Sequence, residues 1–397
     1  MARTAQTMSA GGRIAEHLSI GVLGAAYPDD AVAAALTVTG KHSERKRDLP
    51  AAVVTYYVMA LGLLMTVSTK EVLRVLLEGM RWLGGDGAIK VSSKAAIAQA
   101  RARLGPEPLR ELWQQSAAPM ATADTPAAFY RGLRLIALDG STLDVPDTAA
   151  NREHFGKPGA SRGHAAFPQL RLVGLIETGT HGFFAAAIGP YARGEQTLAT
   201  EVLPALKADM LCLADRLFAS FPFWKKAAAT GATLLWRIRS NLILPVEQAL
   251  SDGSYLSTFY PSTKDRRKRT NGLRVRIIEY QLVGAPNPET YRLMTTLLDA
   301  QQAPADELAA LYPERWELEG AFDELKTHLR GGQVVLRSKT PPLIEQEFYG
   351  LLLAHRAVRS LMWQAAMATD QDPDRLSFTH AVHVIRRKLA SRPAFPP

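Results

Sequence analysis

Two short apolar segments that each end in an aspartate constrain the fold of this chain more than any other feature. Residues 134–139 read Arg-Leu-Ile-Ala-Leu-Asp, and residues 210–215 read Met-Leu-Cys-Leu-Ala-Asp. Apolar segments of this length are typical of buried strands. Two more strand-like segments lie between them, at residues 170–177 and 183–189. We therefore expect Asp139 and Asp215 to follow strands of one sheet.

Predicted helices alternate with the later strands of this region. A helix is predicted at about 195–207, another follows residue 215, and residues 232–239 form a fifth strand-like segment. Three strands, a helix, a strand, a helix and a strand predict a mixed sheet with covering helices, which is an α/β fold. Residues 240–300 break the alternation with strand-like segments at 274–282 and 291–298, and we interpret them as a β-rich insertion.

Helical patterns also flank the predicted sheet. Residues 13–120 have helical periodicity, as do residues 306–328 and 344–367. The predicted domains are a helical N-terminal domain, a sheet-containing core in two segments, an insertion within that core and a C-terminal helical region: residues 1–125, 126–239 plus 301–340, 240–300 and 341–397.

The apolar stretch at residues 49–67 approaches the length of a membrane span. It opens near Pro50 and contains two tyrosines and two threonines, and we find no second span that would pair with it. We therefore favour a buried core helix over a transmembrane segment. The N-terminal residues lack the apolar region of a secretory signal.

The charge balance indicates an acidic partner. Lys plus Arg is 47 and Asp plus Glu is 38, which gives a net charge of +9. Nucleic acid is the commonest such partner, because each cation near a phosphate releases a counterion. Cys212 is the single cysteine, which excludes an intrachain disulfide and fits a reducing compartment such as the cytoplasm.

The candidate chemistry rests on carboxylates, since the chain has no Walker A loop, no Gly-x-Ser-x-Gly elbow and no Cys-x-x-Cys pair. Asp139 and Asp215 at strand ends could converge at the rim of a sheet, although aspartate is also common in turns. A third carboxylate, Glu319, shares a helix face with two cations, Arg315 and Lys326, at about 100° per residue. Solvated i, i+4 ion pairs are the alternative interpretation of that face.

Three carboxylates can hold two Mg²⁺ ions about 3.5–4 Å apart for displacement at phosphorus, and Mg²⁺ prefers oxygen ligands. With these residues the chain resembles a DDE transposase of bacterial insertion sequences, of the insertion-sequence family four group, which has a Tyr-(2)-Arg-(3)-Glu-(6)-Lys signature. Tyr312, Arg315, Glu319 and Lys326 match that spacing without gaps. Residues 138–142 and 213–218 are similar to the segments around the first two acids, although Leu217 replaces the glycine that is frequent there.

The resemblance implies an RNase H-like core in which Asp139, Asp215 and Glu319 bind Mg²⁺, with Mn²⁺ as a substitute. It implies that Arg315 and Lys326 contact double-stranded DNA near the cleaved end, assisted by Tyr312. It also implies cut-and-paste transposition of transposon ends into target DNA by a dimeric synaptic complex. It does not decide whether a DNA hairpin forms at the transposon end.

Two further groups of cations are candidate DNA contacts. In the predicted N-terminal DNA-binding domain, the two helices on either side of Gly84-Gly85 are compatible with a helix-turn-helix, and equally with an ordinary helical pair. The second of these helices carries Lys94, Arg101 and Arg103. The basic block in the insertion could bind the DNA backbone, and an exposed charged loop is its alternative; its cations are Lys264, Arg266, Arg267, Lys268 and Arg269.

Some residues have structural interpretations that we prefer. Trp224 and Trp236 could stack on a flipped base, but core packing is expected of them. The histidines that lack ligand spacing, and that we interpret as structural or surface residues, are His164, His181 and His328.

Two rival functions remain at this stage. One is a DNA-binding regulator derived from a transposase that has lost catalysis. The other is a two-carboxylate glycoside hydrolase, which the basic charge and the cations around Glu319 disfavour.

Overall fold

A computed structural model describes residues 21–43, 49–81, 91–160, 163–281, 290–331 and 335–391. The chain divides into two compact units. The first unit comprises the described residues of Met1–Ala118, Leu143–Leu170 and Phe322–Pro397, and the second unit comprises those of Pro119–Thr142 and Arg171–Ala321. This division groups the N-terminal and C-terminal helices together, where the sequence predicts separate regions at 1–125 and 341–397.

Most helices lie in the segments predicted to be helical, whereas the helices at residues 149–155, 263–268 and 378–391 lie outside those segments. The helices are α1 (Gly21–Ala26), α2 (Asp29–Val38), α3 (Ala51–Leu63), α4 (Thr69–Arg81), α5 (Lys94–Leu104), α6 (Glu107–Ser116), α7 (Ala149–Phe155), α8 (Glu195–Val202), α9 (Phe221–Ala228), α10 (Thr263–Lys268), α11 (Ala305–Leu311), α12 (Glu317–Asp323), α13 (Pro341–Ala368) and α14 (Phe378–Ser391). The predicted Gly84-Gly85 turn lies outside the described residues.

Helix α12 is flanked by irregular helical turns. Tyr312–Trp316 forms a 3₁₀ helix directly before it, and Glu324–Leu329 forms a π-helix directly after it. The strands are β1 (Phe129–Tyr130), β2 (Leu133–Asp144), β3 (Gly159–Ala160), β4 (Gly163–His164), β5 (Gln169–Glu177), β6 (Gly182–Pro190), β7 (Met210–Ala214), β8 (Thr233–Arg237), β9 (Gln248–Ala249), β10 (Tyr255–Phe259), β11 (Leu273–Gln281) and β12 (Thr290–Thr295).

Within the described residues, ten strands form one mixed sheet in the order β6-β5-β2-β7-β8-β12-β11-β10-β9, with β1 paired to β2. Strand β7 runs parallel to both β2 and β8. Strand β12 is antiparallel to β8, so the strands of the predicted insertion extend the central sheet. The order β6-β5-β2-β7-β8 agrees with the RNase H-like core that the resemblance implies.

The two faces of this sheet bury alternate residues of each strand, as the period of two requires. Ile136 and Cys212 belong to one apolar cluster, which includes residues of α8 and α9. Leu135 and Leu211 belong to a second cluster, which includes Leu308 of α11 and Tyr312. Helices therefore cover both faces, and the predicted α/β class is confirmed.

The first unit contains the apolar stretch at residues 49–67 as the buried helix α3, which packs against α13. The two helices approach closely because both have glycine at the crossing. A Cβ on Gly350 would lie 2.7 Å from the carbonyl oxygen of Val58, and a Cβ on Gly62 would lie 3.1 Å from Leu351 Cα. The prediction of a core helix is confirmed, and no helix among the described residues has the length and apolarity needed to cross a membrane.

Candidate active site

The register of β2 and β7 brings the first two acids together. The parallel pairing ends at Leu138 opposite Ala214, so Asp139 and Asp215 are the next residues of two adjacent strands. Neighbouring strands lie about 4.8 Å apart. The sequence predicts that Asp139 ends its strand. This prediction is wrong, because β2 continues to Asp144. The end of the pairing with β7 marks the site instead.

A single guanidinium joins the first acid to the third. Arg315 Nη1 donates to Asp139 Oδ2 at 3.1 Å, and its Nη2 lies 3.6 Å from Glu319 Oε1. The Arg315 side chain is 7% exposed, whereas that of Glu319 is 52% exposed. The guanidinium also lies over the Trp316 ring, 4.4 Å from its centroid. Arg315 thus neutralises part of the acidic cluster, and Glu319 remains open to solvent.

Tyr312 fixes this helical segment to the sheet. Its hydroxyl donates to the carbonyl oxygen of Ala214 at 3.2 Å, immediately before Asp215. The ring is buried, and burial raises the pKa of the phenol above its ordinary value. Tyr312 is therefore a neutral hydrogen-bond donor beneath the site.

Asp139 has a strongly perturbed titration. Burial is the main cause and raises its pKa from 3.8 to about 6, while the Gly140 N–H and Arg315 act in the opposite direction. The nearby charges of Asp215 and Glu195 raise the pKa further. This electrostatic coupling shows that Asp139, Asp215 and Glu195 share one negative environment.

Glu195 and Arg171 are neighbours of the site that the sequence did not single out. Arg171 Nη1 on β5 pairs with Glu195 Oε1 on α8 at 2.9 Å. The glycine after Asp139 signals a close approach of some group to the backbone there, but one sequence does not reveal which residue approaches.

Lys326 belongs to the first unit, within the π-helical turn at Glu324–Leu329. It is half-buried, and its pKa is lowered by burial and by the nearby Arg330. In the same unit, Arg359 and His355 hold the buried carboxylate of Glu324. The regular helical wheel used for the prediction does not extend to Lys326, because a π-turn changes the rotation per residue.

The three candidate DNA contacts on α5 divide into two groups. Lys94 and Arg103 are exposed. Arg101 is buried, and its guanidinium donates to Gln346 Oε1 at 2.8 Å and to Ser338 Oγ at 2.9 Å. We therefore correct its predicted role, because α5 directs this side chain into the packing of the first unit and away from solvent.

The basic block of the insertion forms the short helix α10 and the residue after it. Ser262 accepts a hydrogen bond from the Asp265 N–H and begins this helix. Arg266 is half-buried. The other four cations of the block are exposed: Lys264, Arg267, Lys268 and Arg269. Their role in DNA binding remains a prediction.

The two tryptophans pack in the core, and two of the histidines are structural or surface residues, as the sequence predicts. Trp224 and Trp236 are buried, with their rings edge to face at 4.9 Å. The Nε2 of His181 lies 2.6 Å from Glu317 Oε2, and His328 pairs with Asp323 at 3.0 Å. The side chain of His164 lies outside the described residues.

Comparisons with known proteins give a consistent result. Residues 17–114 match the family "Insertion element 4 transposase N-terminal", and residues 130–356 match the family "Transposase DDE domain". The chain is 29% identical over 371 residues to the transposase InsG for insertion sequence element IS4 of Escherichia coli K12, covering 92% of this chain and 82% of that protein. It is 28% identical to the putative transposase InsZ of the same organism, over 52% of this chain and 64% of InsZ.

A solved structure has a similar fold. The piggyBac transposase, in a cryo-EM structure of its synaptic complex with hairpin DNA, aligns with a TM-score of 0.50 and 11% sequence identity. The alignment covers 94% of this chain and 80% of that chain. At this identity the comparison supports the fold alone.

Proposed function

This chain belongs to the DDE transposase family and is a transposase, and from that premise we propose the chemistry of its site. The enzyme cleaves the ends of its transposon in a Mg²⁺-dependent reaction and transfers them into target DNA. It acts as an endonuclease and a strand transferase on double-stranded DNA, as a homodimer, in the bacterial cytoplasm.

The observation that carries this proposal is the grouping of three carboxylates, two of which contact one guanidinium while the third follows the adjacent strand. Asp139 and Glu319 both contact Arg315, and Asp215 follows the strand position beside Asp139. One cation cannot balance three carboxylates, so the cluster keeps a net negative charge. The raised pKa of Asp139 reflects the burial of that charge and its acidic neighbours.

These residues fit a divalent metal. Carboxylate oxygens are the ligands that Mg²⁺ prefers, and Mn²⁺ accepts the same donors. Asp139, Asp215 and Glu319 would hold the metal. When bound, such a metal stabilises the charge that develops on the phosphate and lowers the pKa of an attacking hydroxyl group.

The chain's own residues prepare this site. The Gly140 N–H donates to Asp139 Oδ1 at 2.7 Å and fixes the orientation of the carboxylate. Tyr312 holds the segment that carries Arg315 against the end of β7. Glu319 is open to solvent on its helix, which leaves it accessible to a divalent cation. The attacking groups are water at the transposon end and then the released 3′-OH at the target.

An excision assay tests this proposal. A donor plasmid carries the genomic segment that encodes this chain together with its flanking DNA. Excision is quantified by amplification across the junction of the donor plasmid that has lost the segment. The variants Asp139→Asn, Asp215→Asn and Glu319→Gln are each expected to reduce excision to background. Asp323→Asn changes an exposed carboxylate four residues after Glu319 and is the matched control, with excision near the wild-type level.

Binding of the flanking DNA is measured for the same variants. We expect each triad variant to bind DNA as the wild type does, because the substitutions remove the chemistry and leave the basic surfaces intact. Wild-type excision by any one of the three variants would refute its place in the site. A wild-type protein that binds the DNA but never excises it would favour the regulator derived from a transposase.

A further inference from the structure

The mechanism above makes no use of an ion pair that lies next to Asp139. Glu195 is the first residue of α8, and Arg171 lies on β5, the strand beside β2 in the sheet. Their contact joins Arg171 Nη1 and Glu195 Oε1 at 2.9 Å, with both side chains mostly buried. The Arg171 guanidinium also lies over the Tyr191 ring, 4.8 Å from its centroid. Arg171, which stacks on the Tyr191 ring, thus holds the Glu195 carboxylate in place.

Gly140 allows Glu195 to approach the backbone of the site. A Cβ on Gly140 would lie 3.0 Å from both Cγ and Cδ of Glu195 and 3.3 Å from its Oε1. The N–H of Gly140 donates to Asp139 Oδ1 at 2.7 Å. Gly140 therefore lies beside the Glu195 side chain and donates to the Asp139 carboxylate, so that both carboxylates lie next to one glycine.

A purely local role does not explain this arrangement. Glutamate in the first turn of a helix is favourable because it faces the positive end of the helix dipole. That interaction needs neither a partner cation on a neighbouring strand nor close packing against a glycine. Both features are present here, and both act on the residue that follows Asp139.

We propose that Glu195, held by Arg171, is a positioning residue for the metal site. It fixes the Asp139-Gly140 backbone and adds a negative charge that strengthens divalent-metal binding at Asp139, without being a ligand itself. This inference rests on the proposed function, in which Asp139 holds the metal. Partners behind metal ligands typically change metal affinity by about 10–100-fold when they are removed.

Metal binding by the full chain, without DNA, tests the inference. Free Mn²⁺ is titrated by electron paramagnetic resonance, and the dissociation constant is compared between variants. Glu195→Gln keeps the size of the side chain and removes its charge, and we expect it to weaken Asp139-dependent Mn²⁺ binding by about tenfold. The matched control is Glu201→Gln on the same helix, where an exposed glutamate pairs with Arg193, and it should change binding less than about twofold.

Gly140→Ala gives a second test that changes no charge. The added Cβ displaces the Glu195 side chain, so we expect a similar weakening of Mn²⁺ binding. In a Glu195→Ala background the same Gly140→Ala change should have little further effect, because nothing remains to be displaced. Independent, additive effects of the two substitutions would overturn the inference. Thermal unfolding in chelator checks that each variant is folded.

The outcomes separate this inference from the proposed function. If Mn²⁺ binding by the wild type is insensitive to Asp139→Asn, the proposed metal site is wrong and the role of Glu195 falls with it. If binding depends on Asp139 and Glu195→Gln leaves it unchanged, the metal site stands and the positioning role alone is refuted. Tighter binding by Glu195→Asp than by Glu195→Gln would support the charge-based account.

Discussion

Replacing Asp139 with asparagine should make this protein more stable at neutral pH, although the residue is central to the site. Burial raises the pKa of Asp139 from 3.8 to about 6, so at pH 7.5 its charge lies where the fold disfavours it. Each pKa unit corresponds to about 1.4 kcal/mol, which gives about 3 kcal/mol for this change. Asparagine has the same size, so no cavity forms. Its single oxygen can accept from Gly140 N–H or from Arg315 Nη1 but not from both, and the lost hydrogen bond offsets about 1 kcal/mol of the gain.

The sign of the pH dependence follows from the raised pKa. Between about pH 4 and pH 6 the folded protein keeps a proton on Asp139 that the unfolded chain has lost. The contribution of this proton to stability is present at low pH and is lost as the pH rises through about 6. The variant lacks this loss, so its stability relative to the wild type should rise by about 3 kcal/mol between pH 4 and pH 7.5, which leaves it about 2 kcal/mol more stable at pH 7.5.

Thermal and urea unfolding in the presence of chelator measure the difference. For a chain of 397 residues that unfolds as one unit, about 2 kcal/mol corresponds to a rise of about 2 °C in Tm. Asp323→Asn, on an exposed carboxylate, is the control and should stay within about 0.5 kcal/mol of the wild type. An Asp139→Asn variant that is no more stable at pH 7.5, or whose advantage is the same at pH 4, would refute the reasoning.

Three other variants test the DNA surface and the packing. Replacing Lys264, Arg267 and Lys268 together with glutamine should reduce the slope of log affinity against log salt for duplex DNA by about 3, measured by fluorescence anisotropy; an unchanged slope would exclude α10 from the interface. Arg101→Ala should leave that slope unchanged and lower the free energy of unfolding by about 3 kcal/mol, and wild-type stability would contradict its buried role. Tyr312→Phe should cost about 1 kcal/mol in urea unfolding, and no loss would mean that the hydroxyl makes no useful hydrogen bond.

The sequence predicts the central strands and their acids well, because short apolar segments are a local signal. Predicted strands at 170–177, 183–189 and 210–215 correspond to β5, β6 and β7. The continuation of β2 past Asp139 was not predicted, because the residues after the aspartate are small and polar. The pairing of β12 with β8 could not be predicted either, because pairing between strands that are distant in the sequence depends on tertiary contacts.

Other parts of the site could not be predicted from local patterns. Arg101 lies four residues after Ile97 and three before Leu104, on the buried face of α5, so helical phase signals its burial; its partners Gln346 and Ser338 are distant in the sequence and could not be predicted. The π-turn at Glu324–Leu329 changes the phase of the helical wheel. The contact of Glu195 with Gly140 joins residues 55 positions apart in the sequence, and local patterns do not reveal a contact at that separation.

The most direct test of the proposed metal site is a crystal of the full chain soaked in Mn²⁺, with diffraction recorded at the manganese anomalous edge. The account predicts one or two anomalous peaks bound by Asp139, Asp215 and Glu319, and the loss of those peaks in Asp139→Asn. Ordered side chains of the three acids with no manganese between them, or a peak bound by other carboxylates, would contradict it.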